Sequence, residues 1–167
     1  MTDQRIQNFA RILVDYSTRI KAGDRVFIEA STEILPMVQE VYKQIVEKGA
    51  QPYLQLSFPE QQELFYEYIP EAQVAHKNEL MAYAYDNFEA RIRLWSEANT
   101  SALSGADPKK QSAHAEANSS ILRAQMQRGA KDEFKWCTTL YPTRAYAMQA
   151  GMGFADYEDF YFKAVHA

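Results

Sequence analysis

Residues 25–57 read RVFIEASTEILPMVQEVYKQIVEKGAQPYLQLS, and this stretch decides the fold. Residues 25–30 and 51–57 are two short runs of strand-forming side chains. Between them, apolar residues recur at helical spacing: Leu35, Val38, Val41, Tyr42, Ile45 and Val46. Gly49 is placed to end that helix. A strand, a helix and a strand joined by tight connections predict two parallel strands with a right-handed crossover.

The rest of the chain continues this alternation. An amphipathic helix is predicted over residues 3–20, with Thr2 or Asp3 as its cap. Further helices are predicted over residues 60–68, after Pro70, from Pro108 to about 128, over 143–150 and from Gly153, with strands over 90–96 and 134–140. The pattern predicts one α/β domain over residues 1–167, with a mainly parallel sheet of about four strands and helices on both faces, a three-layer arrangement.

Composition narrows the functional classes. The net charge of −4 leaves no excess of Lys and Arg to neutralise phosphates, which argues against a nucleic-acid partner. A single cysteine, Cys137, excludes an internal disulfide and fits a reducing compartment. The N-terminus has no leader pattern, and no apolar run reaches the length of about 18 residues that a membrane span needs. We expect a cytoplasmic protein with no membrane partner.

The last fourteen residues are rich in aromatic and apolar side chains: Phe154, Tyr157, Phe160, Tyr161, Phe162 and Val165. They project from more than one side of the predicted terminal helix, and such a helix normally needs cover on more than one side. We expect this helix to continue or to pack on further protein. The alternative is a helix that docks on its own domain with a few exposed rings.

A search for catalytic groups finds no complete set. His114-Ala115-Glu116 matches half of a zinc-deaminase signature, but one cysteine cannot supply the other half. Cys137 lies in a predicted strand, where a buried structural role is favoured over a nucleophile. Asp156, Glu158 and Asp159 fall near a helix start, where carboxylates interact favourably with the helix dipole. Neither a nucleophile elbow nor a glycine-rich dinucleotide turn is present.

Several motifs nevertheless resemble one known family. They are residues 10–17 (ARILVDYS), 21–28 (KAGDRVFI), 91–94 (RIRL) with the Asn99 loop and Asp107-Pro108, 136–143 (WCTTLYPT), Ala147 with residues 150–152 (AGM), and 157–160 (YEDF). Together they are similar to the thermophilic-type metallo-aminopeptidases, the aminopeptidase T and aminopeptidase S family. The resemblance covers essentially the whole chain, in the right order.

This resemblance implies the amino-terminal half of a larger two-domain enzyme that removes N-terminal amino acids from peptides. In that family two divalent ions of the zinc or cobalt type are held by Glu, His and Asp side chains of a carboxy-terminal domain. We therefore expect no metal and no catalytic residue in residues 1–167, which alone should be inactive. The implied partners are the carboxy-terminal catalytic domain, a peptide substrate and a second copy of the full-length protein in a homodimer.

The role expected for this domain is to wall the substrate cavity. Loops at the carboxyl ends of parallel strands are the usual place for such contacts. They are residues 31–33, 58–61, 97–104 and 141–143, and the first choice for substrate contact is Tyr141, Pro142 and Thr143. Ordinary turn chemistry, with Pro142 leading into a helix, explains the same tripeptide.

Two other functions stay open on sequence grounds. A self-sufficient Rossmann-like module could bind a nucleotide or phosphate, although the missing glycine-rich turn counts against it. A self-sufficient interaction domain could instead dimerise through its terminal aromatic side chains.

Overall fold

The computed structural model describes residues 3–167, so Thr2, one of the two predicted caps, lies outside the described residues. That range contains seven α-helices and an all-parallel sheet of four strands, which confirms the predicted α/β class with a parallel sheet. The helices are α1 (Gln4–Arg11), α2 (Leu35–Glu47), α3 (Gln61–Tyr68), α4 (Glu79–Asn87), α5 (Pro108–Gly129), α6 (Arg144–Gln149) and α7 (Phe154–Ala164). The strands are β1 (Arg25–Ser31), β2 (Gln51–Ser57), β3 (Ala90–Trp95) and β4 (Lys135–Leu140).

The strand order is β2-β1-β3-β4, which sequence alone did not establish. β1 pairs with β2 in a register that sets Arg25 beside Gln51 and Ser31 beside Ser57. On its other side β1 pairs with β3, and β3 pairs with β4. Because all four strands run in one direction, their carboxyl ends share one edge of the sheet, as the predicted site requires.

The first helix departs from its predicted extent. α1 ends at Arg11, and a π-helical turn, Ile12–Ser17, follows it. Thr18 donates both its amide N–H (3.0 Å) and its hydroxyl (2.7 Å) to the Leu13 carbonyl, five residues earlier. These two hydrogen bonds to one carbonyl stabilise the wider π-helical turn. Asp3 caps α1, as predicted, by accepting from the N–H of Arg5 at 2.8 Å.

The chain groups into two compact units. The sheet unit contains the described residues up to Pro59 together with Glu89–Thr100 and Lys135–Ala167. Its core lies between one face of the sheet and helices α1, α2 and α7. We call this face the core face; the side chains it buries are Val26, Ile28, Ala30, Ala90, Ile92 and Leu94. Alternate residues of the strands, among them Glu29, Arg91 and Arg93, project from the opposite face, here called the polar face.

The terminal helix docks on its own unit. Phe162 is 2% exposed and packs edge-on against Phe9, with ring centroids 6.3 Å apart. The guanidinium of Arg5 lies 4.8 Å from the centre of the Phe162 ring. Phe160, which points the other way, is 61% exposed. The helix therefore finds cover for one side within the sheet unit, which is the alternative that the sequence left open.

The helical unit contains Glu60–Phe88 and Ser101–Phe134. Lys110 on α5 holds the end of α3, because its ammonium donates to the carbonyls of Tyr66 (3.0 Å) and Ile69 (2.9 Å). Arg128 at the other end of α5 donates to the Tyr85 carbonyl at 2.6 Å and lies over the Phe134 ring. These contacts bind α3 and α4 to α5.

In residues 3–167 no helix combines the length and apolar character that crossing a bilayer demands.

Candidate functional site

The predicted site loops do follow the carboxyl ends of the strands. Residues 31–33 follow β1 and residues 141–143 follow β4, both within the sheet unit. Phe58 and Pro59 after β2, and residues 96–100 after β3, belong to the same unit. The all-parallel topology thus brings the starts of all four loops to one edge of the sheet, here called the carboxyl edge.

Tyr141, Pro142 and Thr143 all have internal packing roles at this edge. The ring of Tyr141 packs edge-on against Phe162, with centroids 6.2 Å apart, and burial raises the pKa of Tyr141 to about 12. Pro142 is buried, and the hydroxyl of Thr143 caps α6 by accepting from the N–H of Tyr146 at 3.3 Å. These contacts account for the tripeptide as turn and capping residues. Substrate contact by the three side chains stays a prediction.

A polar cluster from four loops and helices gathers around Tyr146 on α6. Burial raises the pKa of Tyr146 to about 12, and electrostatic interactions with Glu97, Tyr157 and Glu33 add to this shift. Glu97 is held in place because its carboxylate accepts from the indole N–H of Trp95 at 2.7 Å. Glu33 follows β1, where its own N–H donates to the Ser31 hydroxyl at 3.3 Å. We call Glu33, Glu97, Tyr146 and Tyr157 the carboxyl-edge cluster.

The chemistry of this cluster follows from its charges. With a pKa of about 12, Tyr146 stays protonated at neutral pH and remains a hydrogen-bond donor. Glu33 and Glu97 supply carboxylate acceptors, and a carboxylate binds a cationic donor more strongly than a neutral one. The exposed indole of Trp95 adds a flat apolar surface beside Glu97. The arrangement suits a ligand with an ammonium group next to an apolar portion.

The loops predicted from the sequence to contact substrate contain Glu33 and Glu97, but they do not contain Tyr146 or Tyr157. A signal for Tyr146 was present, because Thr143, at the start of the predicted helix 143–150, is a residue type that favours the N-cap position. A cap bonded to the third helical residue places that residue at the same end of the helix. No sequence signal indicated Tyr157, since its position depends on how α7 folds back onto the sheet unit.

The residues rejected as catalytic groups have ordinary structural environments. Burial raises the pKa of the Cys137 thiol, which opposes activation as a nucleophile. His114 lies on α5, with its Nδ1 3.0 Å from the Tyr66 hydroxyl and its ring centroid 4.9 Å from that of Phe65. It packs between helices of the helical unit.

A dinuclear metal centre would need several His, Asp or Glu side chains converging on one point. No three His, Cys, Asp or Glu side chains converge in this way anywhere in the described range, residues 3–167. The nearby carboxylates Glu158 and Asp159 instead pair with Arg5, at 3.0 Å and 2.7 Å. The side chains of the described residues do not fit such a centre.

Comparison with solved structures supports the fold. The chain is similar to wild-type AmpT from Thermus thermophilus, with a TM-score of 0.77 and 17% sequence identity, over 97% of this chain and 42% of that chain. An alcohol dehydrogenase superfamily protein from Novosphingobium aromaticivorans aligns with a TM-score of only 0.39 and 12% identity, over 96% of this chain and 48% of that chain. The chain thus spans less than half the length of either protein. No curated protein matches its sequence.

The family is established by sequence over nearly the full length. A profile described as thermophilic metalloprotease (M29) matches residues 2–167. This range includes all four strands and every residue of the carboxyl-edge cluster. The chain belongs to the thermophilic metalloprotease family, M29.

Proposed function

We propose that this chain is the non-catalytic amino-terminal domain of a dinuclear metal-dependent aminopeptidase of the cytoplasm. The observation that carries the proposal is the match of the thermophilic metalloprotease profile to residues 2–167. The structural similarity to AmpT adds support, because this chain corresponds to 42% of that longer protein. On this proposal, the catalytic metal pair belongs to a carboxy-terminal domain that is the partner of the present one.

The role proposed for this domain is to form one wall of the substrate cavity. The carboxyl edge is the part of the sheet unit where four loops start, and it carries the carboxyl-edge cluster. A peptide with a free amino terminus presents an ammonium group, and Glu33 and Glu97 offer it carboxylate partners. The Tyr146 hydroxyl donates to a peptide carbonyl in the same arrangement. The wall then favours peptides with an unblocked amino terminus.

The first experiment tests whether the domain lacks catalytic metal sites. Purified residues 1–167 are titrated with Zn²⁺ and Co²⁺ by calorimetry and assayed with an aminoacyl reporter substrate. We expect neither a pair of tightly bound ions nor hydrolysis. Chelator-sensitive cleavage by this chain alone would mean that the catalytic site lies within it.

The second experiment uses the longer enzyme, in which this domain is joined to its proposed catalytic partner. We expect Glu97→Gln to raise KM for a peptide with a free amino terminus several-fold, with kcat nearly unchanged, because the wall binds substrate without taking part in bond cleavage. Glu116→Gln, on the exposed side of α5, is the matched control. Equal KM values for the two variants would remove the carboxyl-edge cluster from substrate binding.

A further inference from the structure

Arg93 is a cation on the polar face of β3 that the fold uses only in part. One terminal nitrogen of its guanidinium donates to Glu29 at 2.8 Å, and 35% of the Arg93 side chain is exposed. A guanidinium carries five N–H donors, and the others of Arg93 have no acceptor among the described residues. Glu29 also pairs with Arg91, so two cations share one carboxylate. The three side chains together therefore keep one positive charge that Glu29 does not balance.

A hydroxyl group lies beside Arg93 on the neighbouring strand. Thr138 is paired with Arg93 in register, and adjacent strands are about 4.7–4.9 Å apart. The Thr138 oxygen accepts from Arg91 at 3.1 Å, which leaves its own hydrogen to be donated. Thr138 is exposed. Arg93 and Thr138 therefore offer adjacent donors to an anion, and the planar guanidinium matches the geometry of a carboxylate.

An exposed apolar pair separates Arg93 from the carboxyl edge. Trp95 and Leu140 are the next residues along the same face, are paired in register, and are each 46% exposed. The guanidinium carbon of Arg93 lies 5.7 Å from the centre of the Trp95 ring. The indole N–H of Trp95 donates to Glu97 at 2.7 Å. The ring is thus held by a cation and a carboxylate while much of its surface stays open, and exposed aromatic rings are typical of binding surfaces.

This part of the polar face carries an acid, an apolar pair and a base in that order. Glu97 lies at the carboxyl edge, and Trp95 and Leu140 come next. Arg93 and Thr138 lie furthest from the edge. A short peptide with both termini free has the complementary order: an ammonium group, an apolar portion and a carboxylate. The charged ends of a dipeptide or tripeptide are about 7–11 Å apart, and Glu97 and Arg93 are separated by a comparable distance, because both border one indole ring.

We propose that Arg93 is a specificity-determining residue that binds the carboxy-terminal carboxylate of a dipeptide or tripeptide, with Thr138 as a second donor. The ammonium group of the same peptide reaches Glu97, and its apolar portion lies on Trp95 and Leu140. The inference rests on the proposed function, because it adds a contact at the other end of the substrate to the same cavity wall. A longer peptide carries its carboxylate past Arg93, and an amidated peptide has none.

Three matched peptides test the proposal on residues 1–167. The chain has two tryptophans, so an NMR titration can follow the indole N–H signal of Trp95. Leucylglycylglycine, its carboxy-terminal amide and its N-acetyl form are each added to about 20 mM, a range that includes weak binding. We expect the amide to bind at least about tenfold more weakly than the parent peptide, because it loses charge-assisted hydrogen bonds to Arg93. Equal affinities for these two peptides, or a Trp95 signal that does not move, would overturn the proposal.

The acetylated peptide separates this inference from the proposed function. Acetylation removes the ammonium group that Glu97 is proposed to bind and leaves the carboxylate in place. Weaker binding after acetylation together with unchanged binding after amidation would retain the ammonium contact and exclude the Arg93 site. The reverse result would support the Arg93 site and remove the ammonium contact from the proposed function.

Substitution of Arg93 tests the residue itself. We expect Arg93→Gln to bind leucylglycylglycine at least about tenfold more weakly and to lose the preference for the free carboxylate over the amide. Arg93→Lys keeps the charge without the paired donors and should recover part of the affinity. Arg123→Gln, on the exposed side of α5, makes the same change of charge and should bind like wild type. An unchanged acid-to-amide preference in Arg93→Gln, or an equal loss of affinity in Arg123→Gln, would overturn the proposal.

Discussion

Glu29 on β1 and Arg91 on β3 form a buried ion pair inside the sheet unit. The Arg91 Nε donates to one carboxylate oxygen of Glu29, and a terminal nitrogen of Arg93 donates to the other at 2.8 Å. Arg91 also donates to the Thr138 hydroxyl at 3.1 Å, so the network spans β1, β3 and β4. Arg91 is 3% exposed and Glu29 is 7% exposed. The polar face of the sheet is therefore held together by charge-assisted hydrogen bonds across three strands.

Removing Glu29 should destabilise the fold strongly. In Glu29→Ala, Arg91 keeps its charge but loses its buried counter-ion, and such a loss typically costs about 3–5 kcal/mol. We expect a decrease of that size in the free energy of unfolding, measured by urea denaturation. The exposed Glu33→Ala, four residues further on, should change it by less than about 0.5 kcal/mol. A similar small loss in both variants would show that the network adds little to stability.

Acid should weaken the link between Glu89 and Arg25. The Arg25 side chain holds the pKa of Glu89 below its ordinary value of 4.5, and it donates to that carboxylate at 2.6 Å. The unfolded carboxyl takes up a proton at higher pH than the folded one. Its stabilising contribution is therefore present above about pH 4.5 and is lost as the pH falls through the lower folded pKa.

The measurement for Glu89 is the free energy of unfolding at a series of pH values. We expect wild type to exceed Glu89→Gln at pH 6 and the difference to shrink steadily toward about pH 3. Glu79→Gln, at an exposed position on α4, is the control and should follow wild type throughout. A difference that stays constant with pH would mean that the Arg25 bond does not depend on the Glu89 charge.

The local part of the fold could be predicted from sequence. Residues 51–57 were predicted as a strand with the bounds that β2 has, because β-forming residues there lie between Gly49 and Pro59. The turn Ile12–Ser17 could not be predicted, since it depends on one hydroxyl, that of Thr18, bonding the Leu13 carbonyl. The spacing of apolar residues is almost the same before and after such a turn, so the sequence pattern does not mark its position.

Contacts between residues far apart in the sequence could not be predicted, for a different reason. Glu29 and Arg91 are 62 residues apart, and their pairing requires β3 to lie beside β1, which spacing and patterning do not decide. Glu29 lies within β1, where Arg91 and Arg93 neutralise it. The carboxyl-edge cluster was only half predicted for the same reason, because Tyr157 joins it through tertiary packing.

Cys137 should react slowly with alkylating reagents. Burial raises the pKa of its thiol, and a hydrogen bond with Ser17 acts in the opposite direction. Because the thiolate is the reactive form, a raised pKa lowers the reactive fraction at neutral pH. We expect iodoacetamide to modify native Cys137 at least about tenfold more slowly than the urea-unfolded chain at pH 8.

A comparison variant separates the two influences on the Cys137 thiol. Ser17→Ala removes the hydrogen bond that favours the thiolate, so alkylation of the native chain should become slower still. The rate is measured from the mass increase of the intact protein over time. Faster alkylation in Ser17→Ala than in wild type would indicate that Ser17 shields the sulfur sterically and does not stabilise its charge.

Phe160 and Phe162 on α7 form a matched pair for testing how the terminal helix is held. Phe162 lies in the core of the sheet unit against Phe9 and Tyr161, whereas Phe160 is 61% exposed. Truncating a buried phenylalanine removes apolar burial and leaves a cavity, so Phe162→Ala should lower the free energy of unfolding by about 3–5 kcal/mol. Phe160→Ala should change it by less than about 0.5 kcal/mol. Urea denaturation followed by tryptophan fluorescence measures both, and a large loss in Phe160→Ala would mean that its ring is buried in solution.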